Sequence, residues 1–198
     1  MKLYNMKNGL LVIISSPSGG GKDVIIARLL KKIPNSIRLT TTTTRTPRNQ
    51  EKNGINYFFI NQEEFKNKIK AGKILEYNLY ADNYYGTEKE VFETTIKKYP
   101  VVFTNIDYHG KQNLDRLNIP HLSIFLIPES LEILENRIKR RGDVIPEQLK
   151  KRLETAKNEL KQANIFDYQI VNHEGKLDET AEEIAKIIKT LDKNPDLI

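Results

Sequence analysis

The segment Ser15-Ser16-Pro17-Ser18-Gly19-Gly20-Gly21-Lys22-Asp23 directly follows the apolar run Leu10–Ile14. Glycines let backbone N–H groups turn toward one point and approach an anion closely. A helix that starts at Lys22 adds its positive end, and the lysine adds a mobile full charge. The usual form of such a phosphate-binding loop is Gly-x-x-x-x-Gly-Lys-[Ser/Thr] between a strand and a helix. Gly21 and Lys22 fit that form, Ser16 stands at the first glycine, and Asp23 replaces the hydroxyl that normally touches Mg²⁺. The loop implies a bound nucleotide. Asp23 raises the question of how chemistry is done there.

Further along, Thr43-Thr44-Arg45-Thr46-Pro47-Arg48 places two guanidinium groups three residues apart. Such groups suit bidentate contacts to phosphate, although two loop arginines on their own are usually solvated charges. Gly54-Ile55-Asn56-Tyr57, Ile74-Leu75-Glu76-Tyr77, Asn83-Tyr84-Tyr85-Gly86-Thr87 and Ile106-Asp107 follow in order. Glu76 and Asp107 add two carboxylate acceptors, although Glu76 on its own is usually an exposed helix or strand end. His109, His121 and His173 lack metal-ligand spacing and read as structural or exposed.

These residues need a scaffold. Leu10–Ile14 is a continuous apolar run, expected of a strand buried on both faces of a parallel sheet. Lys22–Lys32 reads as a helix with Val24, Ile25, Leu29 and Ile33 inward, ended by Pro34. Val101–Ile106 and His121–Ile127 read as further buried strands. Tyr168–Val171 is a shorter one before a closing helix around Asp178–Leu191. Alternating strands and helices imply an α/β fold with a parallel sheet flanked by helices. Two stretches interrupt the rhythm. Residues from about 38 to 90 read as a small α+β insertion. Residues from about 128 to 162 read as a helical lid, with one helix over Leu131–Arg140 capped by Ser130 and another starting at Pro146. The remaining core covers about 1–37, 91–127 and 163–198 of a single domain.

The chain has 198 residues, a net charge of +6, 29% charged and 38% hydrophobic residues, which suits one soluble domain with its own core. The charge is read as lysine-rich helix faces plus a basic cleft for an anionic ligand. No basic stripe with aromatic platforms is visible, so no nucleic-acid partner is expected. The absence of cysteine excludes disulfides and thiolate chemistry and fits a cytoplasmic protein. The apolar run at Leu10–Ile14 is too short for a signal peptide, and no stretch reaches membrane-spanning length, so no membrane partner is expected.

Taken together, the ordered motifs resemble those of the guanylate kinases, from roughly Leu10 to Leu191. The resemblance implies a P-loop NTPase-like core with a GMP-binding insertion and a lid. It implies transfer of the ATP γ-phosphoryl group to GMP, and to dGMP, with Mg²⁺ accompanying ATP, by a monomer or homodimer. By resemblance, Ser16, Pro17, Ser18, Gly19, Gly20, Gly21, Lys22 and Asp23 bind ATP, and Asn172 lies near its adenine. Arg45 and Arg48 hold the GMP phosphate, helped by the hydroxyls of Tyr57 and Tyr85. Glu76, Asp107, Thr41 and Thr87 meet the guanine. Lys22, Arg45, Arg137, Arg141 and Arg152 are the catalytic cations, the last three from the lid.

The family commonly has Ser or Thr at position 23 and Asp at position 105; this chain has Asp23 and Asn105. Two readings of Asp23 stand side by side. Either it takes over the metal contact, directly or through water, or it only caps the helix start. Both departures point toward a related enzyme, ribose 1,5-bisphosphate phosphokinase. Arg48, Tyr57, Glu76 and Asp107 speak instead for a guanine nucleotide acceptor. A non-catalytic guanylate kinase-like binding module is a further alternative, and the intact Lys22 speaks against it.

Overall fold

The computed structural model describes residues 9–48, 51–80, 82–140 and 146–192. Its centre is a parallel sheet of five strands: β1 (Leu10–Ser15), β2 (Ser36–Arg38), β7 (Val101–Thr104), β8 (Leu122–Pro128) and β9 (Tyr168–Asn172). Their spatial order is β2-β7-β1-β8-β9. β1 lies in the middle, paired on both sides, and all six of its residues are buried. Alternation along it feeds two cores. Leu10, Val12 and Ile14 pack on one face with α1 (Lys22–Lys32) and α7 (Leu177–Asp192). Leu11 and Ile13 pack on the other with Leu114, Phe125 and Phe166. That second face is covered in part by α3 (Lys89–Lys98) and α4 (Tyr108–Arg116).

A second, four-stranded sheet lies between β2 and α3 in the chain. It comprises β3 (Thr42–Thr43), β4 (Phe58–Phe59), β5 (Ile74–Tyr80) and β6 (Asn83–Glu88), in the order β4-β3-β6-β5. β5 and β6 form an antiparallel hairpin that sets Glu76 opposite Thr87 and Asn78 opposite Tyr85. Helix α2 (Gln62–Lys70) anchors this sheet through fully buried Phe65, whose ring stacks on Tyr84 at 5.1 Å. After β8 come α5 (Leu131–Arg140) and α6 (Pro146–Lys161), which share a small apolar cluster of Leu134, Ile138 and Ala156. The Ser130 hydroxyl accepts from Ile133 N–H at 3.1 Å, the expected cap of α5.

Three expectations shift in detail. Val24 is 39% exposed, because α1 buries Ile25, Ile26 and Leu29 instead. The third core strand ends at Thr104, and α6 gives way to a 3₁₀ turn at Ala163–Ile165.

Candidate active site

The loop after β1 has the geometry of an anion cradle. Gly21 is the N-cap of α1 with φ 92°, in the left-handed region that a side chain rarely tolerates. A Cβ on Gly20 would lie 2.6 Å from the Ser16 Cβ, so the tight turn closed by Gly20 N–H to Pro17 C=O at 2.9 Å requires glycine. Lys22 folds back, its Nζ 3.4 Å from the Ser16 carbonyl.

Asn172 is fully buried at the end of β9. Its Nδ2 donates to the Gly20 carbonyl at 2.9 Å, and its Oδ1 accepts from the Thr180 hydroxyl at 3.2 Å. Both polar atoms of the side chain are spent on protein groups, and Asn172 braces the loop from below.

One cleft gathers most of the expected residues. It is lined by Ser18, Gly19, Lys22 and Asp23 from the loop and α1, by Thr41, Arg45, Arg48, Tyr57, Glu76 and Tyr85 from the segment around the second sheet, and by Asp107. The loop that cradles anions and the paired arginines thus open into the same space.

Arg45 is held on several sides. Its Nη1 and Nη2 donate to the two Glu51 oxygens at 2.8 and 2.9 Å, and Nη1 also reaches the Thr46 carbonyl at 2.7 Å. The guanidinium carbon sits 5.5 Å from the Tyr57 ring centre and 5.7 Å from that of Phe59. Glu51 also accepts from the Arg48 N–H at 2.7 Å, so one carboxylate ties both arginine positions. The Arg45 hydrogen bonds hold the Glu51 carboxyl below its ordinary value.

Glu76 is 6% exposed, and its Oε1 accepts from the Thr87 hydroxyl at 2.7 Å. Burial pushes its carboxyl up to about 7, with the Thr87 hydroxyl opposing and Asp107 adding to the rise. Asp107 caps α4, accepting from Gly110 N–H at 2.9 Å, and its other oxygen accepts from the Asn78 amide. Tyr57 is held above its ordinary value chiefly by burial, with Asp23 contributing.

Asp23 does not cap α1, since Gly21 holds that position. Its Oδ1 instead accepts from Arg38 Nη2 at 2.8 Å and from Asn105 Nδ2 at 2.9 Å. Asn105 Oδ1 is buried without a hydrogen-bond partner. A half-exposed carboxylate such as Asp23 suits a hard divalent cation that keeps most of its waters. No cluster of three or more His, Cys, Asp or Glu with metal-ligand spacing is present among the described residues.

Some expected residues are not brought into the cleft. Arg137 is turned to Glu174, with a closest approach of 2.6 Å, and to the Asn172 carbonyl. Neither it nor Arg152 on α6 is among the cleft's lining residues. Arg141 lies outside the described residues.

The cleft also contains residues that sequence reasoning passed over: Asn78, Tyr80 and Glu159. Asn78 follows Glu76 by two, the strand period, which was the available signal. Glu159 follows Arg152 by seven, one helical face apart. Burial pushes the Glu159 carboxyl up to about 6, against the pull of Lys22, and its Oε2 is buried without a hydrogen-bond partner.

The chain matches the family model described as guanylate kinase over residues 8–191. It is 41% identical over 181 residues to the guanylate kinase of Rickettsia felis, covering 91% of this chain and 93% of that one. It is 39% identical over 188 residues to the guanylate kinase of Prochlorococcus marinus, covering 95% and 100%. The solved guanylate kinase of Anaplasma phagocytophilum superposes with a TM-score of 0.76 at 28% identity, covering 96% of this chain and 89% of that one. A shikimate kinase from Acinetobacter baumannii superposes with a TM-score of 0.51 at 12% identity, a likeness of fold alone.

Proposed function

The chain belongs to the guanylate kinase family and is an ATP:GMP phosphotransferase, and from that premise we propose how its own residues carry the reaction. ATP lies with its phosphates on the N–H groups of the loop from Ser16 to Asp23 and on Lys22. The GMP phosphate is held by Arg45 and Arg48, with Tyr57 and Tyr85 donating their hydroxyls. Glu76 accepts from guanine N1–H and Asp107 from the exocyclic amine, with Thr41 and Thr87 beside them. The observation that carries this reading is the single cleft shared by the loop, the paired arginines and the two acceptors.

The acceptor phosphate is already anionic, so no dedicated general base is needed. The residues work by positioning the two phosphates and by stabilising charge on the transferring group. Lys22 faces one side of that group and Arg45 the other. Arg137, Arg141 and Arg152 supply further positive charge once the lid swings over the phosphates, which requires Arg137 to leave Glu174. Asp23 is the group that would hold Mg²⁺, directly or through water, and the ion would offset charge on the phosphates. Closure of the lid and the 38–90 insertion excludes water and so limits idle ATP hydrolysis.

Guanine is selected by acceptors. Adenine presents an acceptor at N1, which would leave Glu76 facing a lone pair in a buried site. A coupled ADP-release assay with GMP, dGMP, AMP, CMP and UMP tests the assignment. GMP and dGMP should be turned over and the other three should not. Turnover of AMP comparable to that of GMP would overturn the roles of Glu76 and Asp107. The Asp23–Asn105 contact accounts for both departures from the family pattern within the metal neighbourhood, and the sugar-phosphate and binding-module alternatives gain no support from the relatives.

A further inference from the structure

Asp107 is tied from two sides. Its Oδ1 accepts from Gly110 N–H at 2.9 Å, and its Oδ2 accepts from the side-chain amide of Asn78. The first bond belongs to the helix: Asp107 is the N-cap of α4. The second comes from another element, β5, and has no part in capping. A cap bond at one oxygen leaves the carboxylate plane free to turn, because the terminal torsion of Asp is broad. A donor at the other oxygen removes that freedom.

The donor is placed by the hairpin. Asn78 follows Glu76 by two residues on β5, so both side chains leave the same face of the strand. Opposite them on β6 stand Tyr85 and Thr87. Glu76, Asn78, Tyr85 and Asp107 all line the cleft. Each carboxylate oxygen offers two acceptor positions. Asn78 takes one on Asp107 Oδ2 and leaves the other.

We propose that Asn78 is a positioning residue for base specificity, whose amide holds the Asp107 carboxylate in the orientation that accepts the 2-amino group of guanine. The inference rests on the assignment of Asp107 to the guanine edge. It makes a sharper statement: discrimination at the 2-position of the purine depends on β5 as well as on the carboxylate that reads it. A residue that merely supported the hairpin would affect all purine monophosphates alike.

The test compares kcat/KM for GMP and IMP, which differ only by the 2-amino group, at saturating ATP. Wild type, Asn78→Ala and Asn78→Leu are measured with thermal melting alongside. In both variants kcat/KM for GMP should fall about tenfold, mostly through KM, as expected for one lost hydrogen bond of ordinary strength. The value for IMP should change by less than about twofold, so GMP-over-IMP selectivity drops nearly as far. Asn78→Leu keeps the side-chain bulk and so covers the case in which the alanine variant is too unstable to assay. Equal losses for GMP and IMP, or an unchanged ratio, would overturn the proposal. A wild-type enzyme that turns over GMP but shows no preference for it over IMP would overturn the role of Asp107 itself, and this inference with it.

Discussion

Asn105 donates to Asp23 across 2.9 Å, so the two positions at which this chain departs from the common family pattern touch each other. A carboxylate expected on residue 105 stands on residue 23, and the amide on 105 reaches back to it. The same oxygen of Asp23 accepts from Arg38 at 2.8 Å, on β2. One negative group therefore remains between the loop and the end of β7, with its backbone origin moved.

That exchange predicts the behaviour of two variants. Asp23→Ser removes the carboxylate and should raise the Mg²⁺ concentration for half-maximal ADP release by about tenfold, the order expected for one charged contact. Asp23→Ser combined with Asn105→Asp returns the charge to the other side and should recover most of that loss. Mg²⁺ titrations that superimpose for wild type, Asp23→Ser and Asp23→Asn would reject metal contact by Asp23.

Glu76 should make GMP binding pH-dependent. Burial holds its carboxyl at about 7 in the empty site, so below that pH it is mostly protonated. A guanine N1–H favours the ionised acceptor, and binding should release a proton. GMP affinity should therefore rise as pH increases through 7 and level off above it. Calorimetry in buffers of differing ionisation enthalpy reads the released proton directly. In Glu76→Gln the release should vanish along with most of the affinity.

Arg45 and Glu51 separate binding from scaffolding. Arg45→Ala should cost rate by about a hundredfold or more, with melting measured alongside because the Arg45–Glu51 pair is largely covered. Normal GMP turnover in that variant would sink the assigned role. Glu51→Gln keeps the shape but weakens the fork to Arg45 and the bond from the Arg48 N–H. KM for GMP should rise about tenfold with kcat less affected.

Glu159 predicts a stability effect whose sign follows from its environment. Its folded carboxyl is raised to about 6 from an ordinary 4.5. The folded state thus holds a proton that the unfolded chain releases. The associated stability is present below about 4.5 and is lost as pH rises through about 6. At pH 7 and above, Glu159→Gln should be more stable than wild type by about 1–2 kcal/mol, measured by urea unfolding. An equal difference at pH 4 and pH 8 would remove ionisation as its cause.

Much of this site could be read before any fold was known. The strand, glycine turn and helix from Leu10 to Lys32 are local features, and local features survive in sequence. Arg45, Arg48, Glu76 and Asp107 were legible as an ordered set, because their order and spacing resemble the guanylate kinase motifs. What stayed hidden depends on register and packing. Asn78 meets Asp107 only because the β5–β6 hairpin turns its cleft face toward α4. Val24 fails to face inward because α1 lies against α7 on Ile25, Ile26 and Leu29. Asn172 is expected near an adenine by resemblance, and its buried bond to the Gly20 carbonyl shows only in the fold. Glu51 was overlooked because a carboxylate beside two arginines has no meaning until both prove to share it.

The bond from Asn172 to the Gly20 carbonyl spans 152 residues of chain. It has a consequence for the order in which the protein is made. A ribosome makes the glycine turn 152 residues before it makes Asn172. Until β9 docks beside β8, the carbonyl of Gly20 has no amide beneath it. The nascent chain therefore carries its glycine loop through those 152 residues without the brace that shapes it. The fully shaped loop arrives only with β9, long after its own residues have been made.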